Sequence, residues 1–94
     1  MQGPSMAPAL RHGDQVLAWL RPPRRLRPGD VLVVELPERG LAVKRLRELR
    51  TDGTVWIEGD NPAGSTDSRQ LGPVAAGAVR GRVLARVWPR PGRV

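Results

Sequence analysis

Cysteine is absent from this chain of 94 residues, and so are phenylalanine and tyrosine. Without cysteine the protein can form neither a disulfide nor a thiolate metal site. The absence of cysteine does not indicate whether the protein works in an oxidising or a reducing compartment. His12 is the only histidine. A metal site or a serine–histidine triad would therefore have this one residue and no other histidine to use. We therefore predict that the protein binds no metal and needs no cofactor.

The chain also lacks any long apolar run. No segment approaches the ~20 apolar residues of a membrane helix, and nothing before Ser5 resembles a secretory signal. If Met1 is the native start, we expect a cytoplasmic protein. If the chain is a trimmed form of a longer one, an upstream helix would make it membrane-associated and extracytoplasmic.

The aromatic residues are limited to three tryptophans, so the core must consist of Val, Leu and Ala. Gly 11 and Pro 10 together exceed a fifth of the chain, which favours turns and short strands. The net charge of +7 suits nucleic acid or an anionic membrane as partner, but it also fits a solvated arginine-rich surface. The scarcity of aromatic side chains argues against a nucleic-acid module that stacks bases.

Hydrophobic patterning predicts a small, mostly antiparallel β-domain, a single domain over residues 1–94 with a frayed tail at 90–94. A hairpin loop at Thr51–Gly53 uses glycine where a positive φ is needed, and residues 59–72 lack periodicity and are predicted as a loop. The last strand alternates apolar residues with arginines, which would discourage pairing at a sheet edge. The predicted strands are residues 15–20, 30–36, 41–50, 54–58 and 79–88.

Lys44 stands out because 15 of the 16 basic residues are arginines and it is the one lysine. In a strand it would share a face with Ala42 and Leu46. Burial there would lower its pKa and make a neutral amine accessible, whereas an arginine stays protonated. The alternatives are chance composition, or an amphipathic lysine with its stem on the sheet and its head in water.

Serine is scarce too, with only Ser5, Ser65 and Ser68 in the chain. A serine activated by a neutral lysine is a known pairing of nucleophile and base. The second and third serines lie in a loop rich in short polar side chains, which commonly hold irregular backbone. An Asp67–Arg69 pair could fix this loop and so place Ser65 or Ser68.

Four short motifs follow one another along the chain. Each alone is weakly specific, but their order and spacing together are informative. They are Ser5-Met6-Ala7-Pro8-Ala9-Leu10 followed by Gly13-Asp14; Arg27-Pro28-Gly29-Asp30-Val31-Leu32-Val33; Val43-Lys44-Arg45-Leu46; and Gly59-Asp60-Asn61 with Ser65, Asp67, Ser68 and Arg69.

In this order the motifs resemble the conserved boxes of the type I signal peptidases and related Ser/Lys peptidases, over about residues 3–89. The resemblance implies a serine endopeptidase with a coiled β-ribbon or partial-barrel fold. It also implies a substrate bound as an added strand, namely a precursor protein bearing an N-terminal leader. Nucleic acid is then not an expected partner, and membrane association would require an upstream anchor.

The resemblance further implies a role for each matching residue. Ser5 would be the nucleophile and Lys44 its general base, while Ser65 would orient the lysine amine. The backbone N–H of Ser5 would donate to the oxyanion. Three further roles match the remaining motif positions: a structural polar pair, Asp67 and Arg69; a substrate cleft with Met6 and Pro8; and a second oxyanion position, Gly3, where relatives often carry a serine hydroxyl.

Among relatives, the short chain most resembles the soluble peptidases that remove the leader of nickel-type superoxide dismutase precursors. A signal peptidase I core without its membrane anchor is an alternative. A self-cleaving repressor-type domain also uses Ser and Lys, but it needs a scissile segment, normally upstream of the serine, and only four residues precede Ser5. A non-catalytic basic β-module that binds nucleic acid is an alternative of another class, and it predicts steeply salt-dependent binding.

Overall fold

The computed structural model describes residue 6, residues 15–19 and residues 25–88. Six strands and one short helix account for most of its regular structure. They are β1 (Gln15–Trp19), β2 (Val31–Leu36), β3 (Gly40–Leu49), β4 (Thr54–Glu58), α1 (Ser68–Leu71), β5 (Val74–Ala75) and β6 (Val79–Trp88).

The strands form one antiparallel sheet in the order β1-β6-β2-β3-β4-β5. The sheet curls into a half-barrel, which confirms the predicted fold class. Within the described part of the chain, no helix is long and apolar enough to cross a membrane.

Strand β2 is the centre of the core because its apolar residues are buried on both faces of the sheet. Its even-numbered residues join the larger apolar cluster with Leu46 and Ile57, and Val31 and Val33 join a smaller one with Met6 and Val83. A strand buried on both sides reads as a continuous apolar run, and Val31–Val34 has that sequence.

Two predictions about turns and strand faces hold for the described residues. The loop between β3 and β4 contains Gly53 with a φ of 84°, a left-handed conformation in which a Cβ would be strained. In β6, residues 79, 81 and 83 are buried and residues 80, 82 and 84 are exposed, as their alternation predicted. The predicted frayed tail at 90–94 lies outside the described residues.

Two other expectations were wrong. Strand β6 is not at a sheet edge, since it pairs with both β1 and β2, so Arg80 and Arg82 project from the interior of the sheet. The predicted loop 59–72 contains a 3-10 turn at Pro62–Gly64 and the helix α1. A one-turn helix is too short to show a 3.6-residue hydrophobic period, so its sequence looks like a loop.

Candidate active site

Lys44 lies in β3 with its side chain on the face of the larger core cluster. It pairs across the strands with Leu32, which is fully buried, and only 4% of Lys44 is exposed. Ala42 and Leu46, two residues before and after it, both pack in the same cluster. The alternation of β3 therefore buries this lysine as its sequence neighbours predicted.

The amine of Lys44 has a hydrogen-bond partner despite its burial. Its Nζ donates to Ser65 Oγ over 2.9 Å, and the hydroxyl of Ser65 in turn donates to Asp67 Oδ2 over 2.5 Å. Because the single hydroxyl proton goes to the carboxylate, Ser65 can only accept from Lys44. The lysine thus ends a chain of two directed hydrogen bonds.

Asp67 anchors this chain at its other end. Its carboxylate is fully buried and accepts from the Gly59 N–H over 2.7 Å and from Arg69 Nε over 3.0 Å. It also caps α1, because Oδ1 accepts from the backbone N–H of Arg69, and the Gln70 side chain accepts from the N–H of Asp67. The Asp67–Arg69 ion pair therefore fixes the segment that carries Ser65.

Ser68 has a different environment from Ser65. Its hydroxyl is buried and accepts from the backbone N–H of Ile57 over 3.0 Å. This bond fastens α1 to β4, so the structure brings Ser65, of the two loop serines, to the lysine amine.

Burial is the main cause of a lowered pKa at Lys44. The positive charges of Arg69 and Arg39 lower it further, while the negative charge of Asp67 acts in the opposite direction. For Asp67, burial by itself would raise the pKa, but hydrogen bonds from Arg69, Ser65 and Gly59 outweigh it and hold the carboxyl pKa far below its usual range. The site therefore makes the neutral amine easier to reach than it is in a solvated lysine, beside a carboxylate that stays ionised.

Arg45 and Asp60 form a second ion pair that the sequence reasoning did not assign to any role. Arg45 Nε donates to Asp60 Oδ1 over 2.9 Å, and Nη2 donates to Oδ2 over 2.8 Å. Both residues belong to quoted motifs, directly after Lys44 and Gly59. The available signal was a pair of opposite charges inside two of the quoted motifs, one of them next to Lys44, although 15 residues of sequence separate Arg45 from Asp60.

The nucleophile segment is mostly outside the described residues. The predicted roles of Ser5, Gly3 and Pro8 fall there and stay predictions. Met6 is described, and it is fully buried in the smaller core cluster, with Val43 of β3 packed against that cluster. Its predicted place in a substrate cleft stays a prediction as well.

A buried, neutral amine oriented by a hydroxyl can accept a proton near physiological pH, which a solvated lysine cannot do. The described site also holds a fixed negative charge behind that hydroxyl, at Asp67. Such a charge stabilises the ammonium that forms when the amine takes a proton. The arrangement suits general acid–base chemistry.

Comparisons with known proteins give relatives that are named as proteases. The chain is 34% identical over 113 residues to "Mitochondrial ATP-independent inner membrane protease subunit 1b" of Arabidopsis thaliana, covering 93% of this chain and 67% of that protein. It is 56% identical over 39 residues to "Mitochondrial inner membrane protease subunit 1" of Schizosaccharomyces pombe, and this match covers 42% of this chain and 25% of that protein. It is 32% identical over 102 residues to "Mitochondrial inner membrane protease subunit 2" of the same yeast, and this match covers 86% of this chain and 56% of that protein.

The matched regions thus span from a quarter to two thirds of these relatives. No solved structure matches the chain significantly. The family model described as "Peptidase S24-like" matches residues 1–83, which is most of the sequence. The chain belongs to the Peptidase S24-like family.

Proposed function

We propose that this chain is a signal-peptidase-like serine endopeptidase in which Ser5 is the nucleophile and Lys44 the general base. The supporting observation is the buried Lys44 amine, bonded to Ser65 and through it to Asp67. A lysine that served only as surface charge would have its head in water. Protease subunits among the relatives and the family match support the same reaction class.

Attack begins with proton transfer from Ser5 Oγ to Lys44 Nζ. One N–H of the neutral amine is committed to Ser65 Oγ, so that hydrogen bond limits rotation of the amine and leaves its lone pair free for the proton. The serine oxygen then bonds to the scissile carbonyl carbon, and the carbonyl oxygen takes the negative charge. A preorganised N–H donor at this oxygen is worth roughly 3 to 4 kcal/mol, and the backbone N–H of Ser5 is the proposed donor.

Collapse of the tetrahedral adduct breaks the peptide C–N bond, and the Lys44 ammonium gives its proton to the leaving amine. Water then attacks the acyl carbon while Lys44 accepts its proton, and collapse of this second adduct breaks the acyl–Ser5 bond as Lys44 returns the proton to Ser5 Oγ. Between these steps the amine is charged while buried, which is costly without a counter-charge. The carboxylate of Asp67, held ionised by Arg69 and Gly59, offsets that cost through Ser65.

The substrate we propose is a precursor protein whose N-terminal leader is removed. Relatives are named as mitochondrial inner membrane proteases, and membrane-linked processing of this kind is one candidate role. The other is the leader of a nickel-type superoxide dismutase precursor, which the earlier resemblance favours. Both share the same bond cleavage and differ only in the leader that the enzyme recognises.

Cleavage of synthetic precursors tests the proposal. Wild-type protein is incubated with peptides that span the leader junction of each candidate substrate, and products are identified by mass spectrometry. We expect one internal cut by wild type and none by Ser5→Ala, with unchanged far-UV circular dichroism. A Ser5→Ala protein that cuts at the wild-type rate would exclude this serine as nucleophile.

A further inference from the structure

The first half of β3 is paired along only one of its edges. Residues 40–45 pair with β2, whereas β4 pairs only with residues 45–49 of the same strand. After Glu58 the chain leaves the sheet as the loop that carries Ser65. Among the residues that the structure describes, no strand therefore occupies the other edge of β3 from Gly40 to Lys44.

Leu41 lies in this half of β3 and is the most exposed large apolar side chain of the described residues, at 62%. An exposed leucine by itself is ordinary on a protein surface. The position of Leu41 is informative, however, because it comes three residues before Lys44 in the same strand. That separation is about 10 Å at the rise of an extended chain.

Leu41 projects from the face of the smaller core cluster. Side chains alternate along β3, so Leu41 shares a face with Val43, and Val43 packs against the cluster that contains Met6. Met6 directly follows Ser5 in the sequence. An apolar strip therefore leads along this face from the residue after the proposed nucleophile to Leu41.

A charged group also faces Leu41, but its charge is balanced. Glu35 is the cross-strand partner of Leu41, and Arg80 Nη2 donates to its Oε2 over 3.0 Å. A second hydrogen bond, from Arg80 Nη1 to the Gly77 carbonyl over 2.9 Å, holds this arginine in place. The pair carries no net charge, so it does not attract a charged side chain to the leucine.

We propose that Leu41 is a specificity-determining residue, which contacts an apolar side chain of the substrate about three residues from the scissile bond. The inference rests on the proposed function, because it takes the substrate to bind as an added strand with its scissile bond beside Lys44. On a strand added at the open edge of β3, the residue opposite Leu41 has its Cβ about 5 Å away on the same face. Their contact covers exposed apolar surface on both partners, which favours binding.

Peptides that span a candidate leader junction test this contact. Leucine, serine or lysine is placed in turn at each position from two to four residues on either side of the junction. The protein variant is Leu41→Thr, because threonine is polar and favours strands. Leu49→Thr is the matched control, since Leu49 is another exposed leucine of β3, in the half that β4 covers.

Two readouts are taken for each protein. Cleavage gives kcat/KM, and the Ser5→Ala form of each protein gives the affinity for fluorescein-labelled peptide by fluorescence anisotropy. We expect wild type to prefer leucine over serine by about tenfold at one of these positions, in both readouts. Leu41→Thr should lose this preference while cutting the serine peptide at the wild-type rate, and Leu49→Thr should keep it.

Equal preference in wild type and Leu41→Thr would overturn the proposal. A loss of equal size with every peptide, or a Leu41→Thr protein that fails to fold, would instead show a structural role and overturn it too. If wild type cuts no peptide, the proposed function fails, while the leucine preference in binding still decides the role of Leu41. Absence of binding by every peptide would exclude that role as well.

Discussion

The amine of Lys44 and the hydroxyl of Ser65, 21 residues apart in sequence, lie 2.9 Å from each other. This contact joins a strand of the sheet to an irregular loop, and it gives the chain's one lysine a defined direction. Whether the lysine must be able to lose its proton is the first property to test.

Lys44→Arg should abolish cleavage although it keeps the positive charge. A guanidinium does not deprotonate in proteins, so it cannot accept a proton from Ser5, and loss of a general base costs about 10²- to 10⁴-fold. The measurement is a pH–rate profile of wild type beside the variant, with folding checked by circular dichroism. Wild-type activity should rise with pH through the lowered Lys44 pKa. Substantial cleavage by folded Lys44→Arg would remove this residue from the mechanism.

Ser65→Ala and Ser68→Ala should separate catalysis from stability. The first leaves Lys44 without its orienting partner and should lower kcat by about 10- to 100-fold with little change in KM. The second removes the acceptor of the buried Ile57 N–H and should cost about 1 to 3 kcal/mol of unfolding free energy. Steady-state kinetics and urea denaturation of both variants provide the test. The reverse pattern would mean that Ser68 is the residue that serves the lysine.

Asp67→Asn should lower the unfolding free energy by about 2 to 3 kcal/mol at pH 7, because several hydrogen bonds to a buried charge are lost. The folded-state pKa of Asp67 is lowered, so its stabilising effect is present above the unfolded value of about 3.9 and is lost as pH falls below it. The difference between wild type and variant should therefore shrink below about pH 4. Urea denaturation from pH 7 to pH 2.5 measures this.

Asp52→Asn is the control for this experiment, since it changes an exposed carboxylate at the tip of the β3–β4 hairpin. Asparagine keeps a side-chain oxygen that can accept from the Thr54 N–H, so we expect the stability to stay close to that of wild type. Equal losses for Asp67→Asn and Asp52→Asn would contradict a special role for the buried carboxylate.

Lys44→Met should be more stable than wild type at pH 7, and this advantage should disappear as pH rises. The folded-state pKa of Lys44 is lowered, so between that value and about 10.4 the unfolded chain binds a proton that the folded chain lacks. Wild-type stability then rises with pH by up to about 1.4 kcal/mol per unit in that window. Denaturation curves from pH 6 to pH 10.5 would show the two proteins converge. Parallel pH dependence of the two proteins would exclude a lowered pKa.

The sequence predicted those parts of the site that depend on local periodicity. Alternation around Lys44 predicted the face that it shares with Ala42 and Leu46 but left open whether its head lies in water, and the β-branched run of β2 predicted a buried strand. The Arg45–Asp60 ion pair could not be predicted in this way, because contact between these residues depends on how β3 pairs with β4. The interior position of β6 likewise depends on pairing with β1 and β2, which lie far away in sequence.

Strand β1 lies at one end of the described sheet, and its partner is β6, the last strand among the described residues. On a ribosome, β1 emerges before β6, and the four other described strands emerge between them. Strand β1 therefore has no partner strand in the sheet until synthesis has passed residue 88. On the proposed function, a nascent chain that has not yet reached β6 is consequently expected to be inactive.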